Sequence, residues 1–220
     1  MALSKETKAR GWWHAHSDVI PSWLNVYLGL EEAASELDEY QSELVPGLFQ
    51  TADYARALIT ANNPDIEAEE IERRVQLRMA RQSLLTRVVA PPRLRVVLNE
   101  AVLRRAVGGP RVMAKQCIRL VGLSELPTVT LRVVPFGAGL HHGVLSGSFV
   151  LLRFPTNGDG KPTEPPTVYV EGYTGALYLD QPHEIARYDT AFTRLLDVTD
   201  DHSGKRSRAL LEQAVKEFSG

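Results

Sequence analysis

The spacing of apolar residues changes from a helical period to a strand period along the chain. Residues 21–35 place apolar side chains three or four positions apart, which predicts an amphipathic helix starting near Pro21. Residues 128–134 alternate apolar and polar side chains, as expected for a strand with one buried face. Two amphipathic runs, 183–196 and 205–218, predict helices at the end of the chain. The pattern indicates a helical first half and a strand-rich second half that closes with two helices.

Short β-rich runs supply the strands of the predicted sheet. They lie at 94–98, 128–134, 148–154, 167–171 and 176–179. A helix predicted at 110–123 joins the first two runs into a βαβ unit, whereas the later runs are close enough in sequence to pair antiparallel. Residues 36–47 alternate only loosely and are predicted to be extended. We expect an α+β fold with a mixed sheet of about five strands, flanked by N-terminal and C-terminal helices.

The clearest predicted helix covers residues 65–87 and contains neither glycine nor proline. Its five acidic residues all precede its five arginines, an order that complements the helix dipole. We interpret this charge run as a solvated helix face rather than an arginine-rich binding site. Ile71, Val75 and Met79 supply its predicted buried stripe.

Composition and charge narrow the class of protein. The chain has 220 residues, is 44% hydrophobic and carries a formal charge of −2, which fits one globular domain and disfavours nucleic-acid binding by the whole chain. No apolar run is long enough to cross a membrane or to form a signal peptide. The single cysteine, Cys117, lies on the apolar side of a predicted helix and is expected to be a packed core thiol. We expect a cytoplasmic protein.

The common nucleotide-binding and hydrolase motifs are missing, and the segment FGAGLHHGVLSGSF remains as a candidate site. Glycines surround His141 and His142 in this connection between two strands. The two histidines could form the rim of a pocket, but a connection in which histidines bond to backbone and glycines adopt positive φ is favoured. We expect no metal site and no cofactor, because no other ligands accompany these histidines.

A second candidate site follows a predicted strand in VYVEGYTGALYL. Glu171 would lie where a strand end presents side chains to a cleft, and Tyr173 and Tyr178 would supply stacking and hydroxyl contacts. Alternatively, Glu171 pairs with Arg132 or Arg153, two arginines inside otherwise apolar strands. These arginines must either reach solvent or meet a carboxylate.

Several long segments resemble a known family. They include YQSELVPGLFQTADYARALI, EIERRVQLRMARQSLLTR, LRVVLNEAVLRRAVGGPRVMAKQCIRLVGLSELPTVTLRVVPFGAG, GSFVLLRFP and VYVEGYTGALYLDQPHEIARYDTAFTRLL. Over residues 11–215 the chain resembles the domain of unknown function that follows the helix-turn-helix in XRE-family transcriptional regulators of actinobacteria. The resemblance implies that residues 1–16 are a linker or remnant helix, and that residues 17–220 are a single α+β effector domain. It also implies that Trp12 and Trp13 dock the N-terminal segment on this domain.

Two functions of different class follow. The first is a regulatory domain that senses a small molecule or a small protein partner and lacks its own DNA-binding module. The second is a biosynthetic enzyme with acid–base chemistry in a pocket of histidine, glutamate and tyrosine. Of these two functions, we favour the regulatory domain over the enzyme. We expect no specific DNA binding by this chain and no membrane association, and homodimerisation is left open.

Overall fold

The computed structural model describes Trp13, Ile20 and residues 22–220, with only the backbone described for residues 22 and 23. Six strands occur in this part of the chain: β1 (Glu36–Gln41), β2 (Arg93–Asn99), β3 (Val129–Val134), β4 (Phe149–Arg153), β5 (Thr167–Gly172) and β6 (Gly175–Leu179). The described helices are α1 (Ser22–Ala33), α2 (Ala52–Asn62), α3 (Ala68–Ala80), α4 (Ala101–Arg104), α5 (Pro110–Leu123), α6 (His142–Ser146), α7 (Pro182–Thr199) and α8 (Lys205–Ser219).

The strands form one mixed sheet in the order β3-β2-β1-β4-β5-β6. Strands β1, β2 and β3 run parallel, while β4, β5 and β6 pair antiparallel with their neighbours. Helix α5 connects β2 to β3, which confirms the predicted βαβ unit. The α+β prediction is confirmed as well. The sixth strand is β1, which the sequence predicted only as an extended segment and which lies between β2 and β4 in the middle of the sheet.

Helices cover both faces of the sheet. Successive strand residues point to opposite faces, so β1 directs Leu37 to one face and Tyr40 to the other. The first face packs with apolar residues of α1, α2, α5 and α8 into the larger core. The second face packs under α7, mainly through Phe192 and Leu195.

Local sequence signals set several helix boundaries. Helix α2 begins after Thr51, whose hydroxyl accepts a hydrogen bond from the amide of Tyr54 at 3.3 Å. Helix α5 begins at Pro110, and its Cys117 is fully buried, as predicted for a core thiol. Burial raises the pKa of Cys117 to about 11, which keeps the thiol protonated at neutral pH.

The predicted helix 65–87 is shorter in the structure. Helix α3 ends at Ala80, and a 3₁₀ helix follows at Arg81–Thr86. Of the predicted stripe only Val75 is buried, and Leu77 is buried beside it. The change to 3₁₀ geometry redirects Leu84 and Leu85 into the core, where both are buried.

Trp13 packs against the domain. It is 6% exposed, contacts a cluster with Leu28 of α1 and Leu77 of α3, and donates from its indole nitrogen to Asn25 at 2.8 Å. The predicted docking is therefore confirmed for this tryptophan. Trp12 and the predicted linker boundary at residue 16 lie outside the described residues.

Among the helices that the structure describes, none combines the length and the apolar character needed to span a bilayer.

Candidate functional site

A buried loop at residues 45–51 lies over the first face of the sheet. Four side chains hold its backbone. Tyr54 accepts from a loop amide at 3.1 Å, and Gln50 donates to a loop carbonyl at 2.7 Å. Gln116 both accepts and donates at 2.8 Å, and Gln82 donates at 2.6 Å. Because polar side chains satisfy these buried backbone groups, the loop keeps one conformation.

Next to this loop lies a set of polar side chains that we call the inner polar cluster. Its members are Tyr27, Glu31, Glu39, Arg78, Arg81, Tyr169 and Glu171. They come from α1, β1, α3, the 3₁₀ helix that follows α3, and β5. Most of them are buried, which is costly for charged groups unless they are paired.

Arg81 and Glu31 form a two-pronged ion pair inside the cluster. Two nitrogens of the guanidinium lie 3.0 and 2.7 Å from the two carboxylate oxygens, and both residues are buried. Burial alone would lower the pKa of Arg81, but the Glu31 carboxylate outweighs it and raises that pKa. The guanidinium also lies 5.6 Å from the centre of the Tyr27 ring and against Gly47, where a β-carbon would stand 3.2 Å away.

Glu39 lies in a row of facing residues that crosses the sheet. It is paired with Val150, which is paired with Tyr169, which is in turn paired with Tyr178. Glu39 is 6% exposed and accepts one hydrogen bond from Gln41 at 2.8 Å. Burial raises the pKa of Glu39 to about 7, the charge of Glu31 adds to this effect, and the Gln41 hydrogen bond opposes it. The Glu39 carboxyl therefore titrates near neutral pH.

Tyr169 lies between two other tyrosines. Its ring is 4.2 Å from that of Tyr27 and 5.4 Å from that of Tyr178, measured between ring centres. The residue is 4% exposed, and no described group bonds to its hydroxyl at ordinary hydrogen-bond geometry. Burial raises the pKa of Tyr169, and Glu171 raises it further through its charge and through a contact with the hydroxyl that falls outside ordinary hydrogen-bond geometry, so the hydroxyl stays protonated.

Arg78 lies one helical turn before Arg81 and is half-buried. Its Nη1 donates to the side-chain oxygen of Gln50 at 2.9 Å. No carboxylate of a described residue lies within ion-pair distance of Arg78. Burial and the charge of Arg81 lower the pKa of Arg78 to about 10, against the opposing charge of Glu171. Arg78 remains charged at neutral pH with most of its donors unused.

Most of the chain matches one known protein family. A family described as a domain of unknown function (DUF5753) matches residues 24–213. The chain belongs to this family. No curated protein and no solved structure matches the DUF5753 chain.

The predicted pair of histidines lies in the DUF5753 domain between β3 and β4. His141 is 6% exposed, its Nδ1 accepts from the amide of Gly143 at 3.2 Å, and its Nε2 lies 3.4 Å from the Asn99 amide nitrogen. Burial lowers the pKa of His141, and the neighbouring His142 lowers it further. His142 is exposed. The favoured interpretation, histidine bonded to backbone, is confirmed for His141.

The Tyr40 ring of β1 requires a glycine at position 143, in the segment between β3 and β4. A β-carbon on Gly143 would lie 2.3 Å from Cζ of the Tyr40 ring, which no packing adjustment of a rigid aromatic ring can easily relieve. Gly139 and Gly147 have positive φ, as the sequence predicted for glycines of this segment.

The predicted arginines belong to the second face of the sheet. Arg153 donates to Glu36 at 3.0 Å and also to Asp38 and Asp189. Arg132 donates to the carbonyl of His202 at 3.0 Å. Arg153 thus meets carboxylates, as one alternative expected, but they are not that of Glu171.

Glu171 and Tyr173 occupy the end of β5 and the turn that follows it. Glu171 is exposed, lies at the rim of the inner polar cluster and forms no ion pair with a described residue. Tyr173 is 98% exposed at the tip of the β5–β6 hairpin. Of the side chains predicted from the sequence, Glu171 belongs to the cluster and Tyr178 lies beside it, 5.4 Å from Tyr169 between ring centres, but the predicted set does not converge in one place.

The interpretation of residues 65–87 as a solvated face is wrong for Arg81, which is 9% exposed because the 3₁₀ helix after α3 turns toward α1. Arg74 and Arg78 are half-buried. Arg74 pairs with Glu70 on the same helix and donates to Asn63 at 3.1 Å, and its Nε is buried with no hydrogen bond to the described residues.

Neither the surface groove nor the acidic and histidine side chains elsewhere in the described residues form a binding site. A shallow, open groove beside α2 contains Asp53 and Arg56, but these charges are already paired with Lys115 at 3.0 Å and Glu72 at 2.5 Å. No group of three or more histidines, cysteines or acids in the described ranges is arranged to hold a metal ion.

Proposed function

We propose that the domain is the ligand-sensing part of an XRE-type transcriptional regulator, with the inner polar cluster as its binding site. The observation that carries this proposal is the unused hydrogen-bonding capacity of Arg78 and Tyr169. Buried polar groups such as the Tyr169 hydroxyl normally have partners in the folded protein, whereas Arg78 is half-buried and its remaining donors can meet an anion from solvent. A bound small molecule would supply the partners that the described residues do not.

The position of the cluster supports a sensing role. Arg78 directly follows Leu77, which packs with Trp13, and Glu31 lies one turn after Leu28 of the same apolar cluster. A bound molecule that displaces Arg78 would therefore also displace Leu77, which packs with Trp13. We infer that binding changes how the N-terminal segment docks, which is a physical route to a fused or separate DNA-binding module.

Binding is better supported than acid–base catalysis. The alternative enzyme needs a histidine and Glu171 facing the same substrate. His141 uses its ring nitrogens on Gly143 and Asn99 near the ends of β1 and β2. Glu171 lies beyond β4, on the first face of the sheet.

We also propose that these 220 residues alone do not bind operator DNA specifically. A DNA reader neutralises several phosphates with lysine and arginine. Here Arg81 is buried against Glu31, and Arg56, Arg95 and Arg153 all pair with carboxylates. A gel shift with nanomolar chain and candidate operators should show no sequence-specific complex at physiological salt, and such a complex would overturn this part. The actinobacterial origin stays a prediction that rests on the resemblance.

Copurification tests the sensing role. The wild-type chain, Arg78→Gln and a control, Arg187→Gln, would be purified in parallel, denatured and analysed for released small molecules by mass spectrometry. Arg187 is exposed on α7, which packs on the opposite face of the sheet. We expect a metabolite bound to the wild type and the control and depleted from Arg78→Gln. Equal amounts of every metabolite in all three samples would contradict the proposal.

A further inference from the structure

We propose that Arg78 and Tyr169 bind the carboxylate of a small monoanionic molecule, and that Glu171 at the rim disfavours ligands with a second negative charge. This inference rests on the proposed function, because it names the chemistry of the ligand at the same site.

Arg78 supplies the positive charge. A guanidinium has five N–H donors in a planar fork that matches the two oxygens of a carboxylate. Within the described residues, its side-chain hydrogen bond goes to a neutral amide, Gln50, rather than to a carboxylate. A half-buried arginine in this state gains from an anion that arrives from outside.

Arg81 does not compete for that anion. Both oxygens of Glu31 already bind its guanidinium, at 3.0 and 2.7 Å, and the Tyr27 ring covers it at 5.6 Å. The two arginines thus have separate roles: Arg81 fixes α1 to the 3₁₀ helix, and Arg78 is left with donors for a ligand.

Tyr169 supplies a neutral donor at the base of the site. Its hydroxyl is buried and lacks a bonding partner of ordinary geometry in the described part of the chain. The Tyr27 ring lies beneath Arg81, which follows Arg78 by one helical turn, and packs on Tyr169 at 4.2 Å, so Tyr169 lies near the turn that carries Arg78. A carboxylate held by Arg78 can accept from this hydroxyl with its second oxygen.

Glu171 limits the charge of the ligand. It lies two residues after Tyr169 on the same strand and therefore on the same face of the sheet. Its charge acts on both Tyr169 and Arg78. A dianion such as phosphate would be repelled by this carboxylate, whereas a monocarboxylate keeps its one charge at Arg78.

Three probes test these statements by isothermal titration calorimetry at about pH 8.5, where inorganic phosphate is largely a dianion. They are 3-phenylpropionate, its neutral analogue 3-phenylpropanamide, and inorganic phosphate. The phenyl group gives the first two probes an apolar part that can pack near the half-buried Tyr178. We expect saturable binding of 3-phenylpropionate to the wild type, with affinity at least about tenfold higher than for the amide, which loses a charge-assisted bond, or for phosphate, which Glu171 repels.

Matched variants assign the binding to these residues. Arg78→Gln should weaken 3-phenylpropionate by about tenfold or more, and the control Arg187→Gln should not change it. Tyr169→Phe removes one oxygen, should leave the unfolding midpoint unchanged or raised, and should still weaken the probe by a few-fold. Glu171→Gln should narrow the preference for 3-phenylpropionate over phosphate.

Three results of these titrations would overturn the monocarboxylate inference. If the amide binds as tightly as the acid, or if Arg78→Gln binds the acid as well as the wild type, the monocarboxylate inference is overturned. If no probe binds the wild type at millimolar concentration, the inference is overturned too. The sensing role is judged separately, since a neutral metabolite that copurifies with the wild type and is lost in Arg78→Gln would uphold that role without the carboxylate.

Discussion

Replacing Glu39 with glutamine should stabilise the domain at alkaline pH and have little effect at acidic pH. Glu39 is buried, its folded pKa is raised from 4.5 to about 7, and its carboxylate faces the charges of Glu31 and Glu171. The folded state therefore holds a proton that the unfolded state has released between these two values. Glutamine has the same shape, cannot ionise, and can still accept from Gln41 through its side-chain oxygen.

The magnitude follows from linkage between protonation and folding. A shift of one pKa unit corresponds to about 1.4 kcal/mol. Because the folded pKa is raised, ionising Glu39 lowers the free energy of unfolding. This loss is close to zero below pH 4.5, grows between pH 4.5 and 7, and is constant above pH 7. The constant cost is about 3 kcal/mol by this arithmetic, and the cost at pH 5 is below about 1 kcal/mol. Glu39→Gln should recover these amounts.

Urea unfolding of the wild type and Glu39→Gln from pH 5 to pH 8.5 measures the difference directly. Other titrating groups are common to both proteins and cancel in the comparison. Glu69→Gln is the control, because Glu69 is an exposed glutamate in the first turn of α3. Its substitution should change stability by only a few tenths of a kcal/mol. If the stability difference between Glu39→Gln and the wild type stays constant with pH, the folded pKa of Glu39 is not raised.

Three further substitutions test the packing around the cluster and the N-terminal segment. Arg81→Met leaves a buried carboxylate unpaired and should cost about 3–5 kcal/mol in urea unfolding, whereas a loss below about 1 kcal/mol would mean that the ion pair is not buried in solution. Gly143→Ala places a methyl group against a tyrosine ring and should lower stability by about 1–3 kcal/mol. Gly137→Ala is its control, since no atom lies within 4 Å of the added carbon, and equal effects of both changes would contradict the contact. Trp13→Ala should cost about 3 kcal/mol, and an unchanged thermal midpoint would show that this indole does not pack on the domain in solution.

Features with local causes could be predicted from the sequence. The helix predicted at residues 110–123 is α5 (Pro110–Leu123), because a proline favours the first turn of a helix. His141 bonds to the amide two residues later, and the strand period of residues 128–134 follows from alternating burial. Such signals need no knowledge of distant residues.

The inner polar cluster depends on contacts that a local pattern does not contain. Arg81 and Glu31 are 50 residues apart, and nothing in the charge order of residues 65–87 distinguishes Arg81 from arginines that reach solvent. Strand β1 was hard to predict because it buries acids, Asp38 and Glu39, where apolar side chains would normally indicate a strand. One signal was available, since Glu31 follows Tyr27 by four residues on the predicted apolar helix and so lies on its inner side.

The most direct test of a ligand site at Arg78 and Tyr169 is a crystal structure of the chain purified without added ligand. We expect density for a small molecule that receives hydrogen bonds from both the Arg78 guanidinium and the Tyr169 hydroxyl. The contrary result is a direct ion pair between Arg78 and Glu171, with the Tyr169 hydroxyl bonded to protein and no molecule between them.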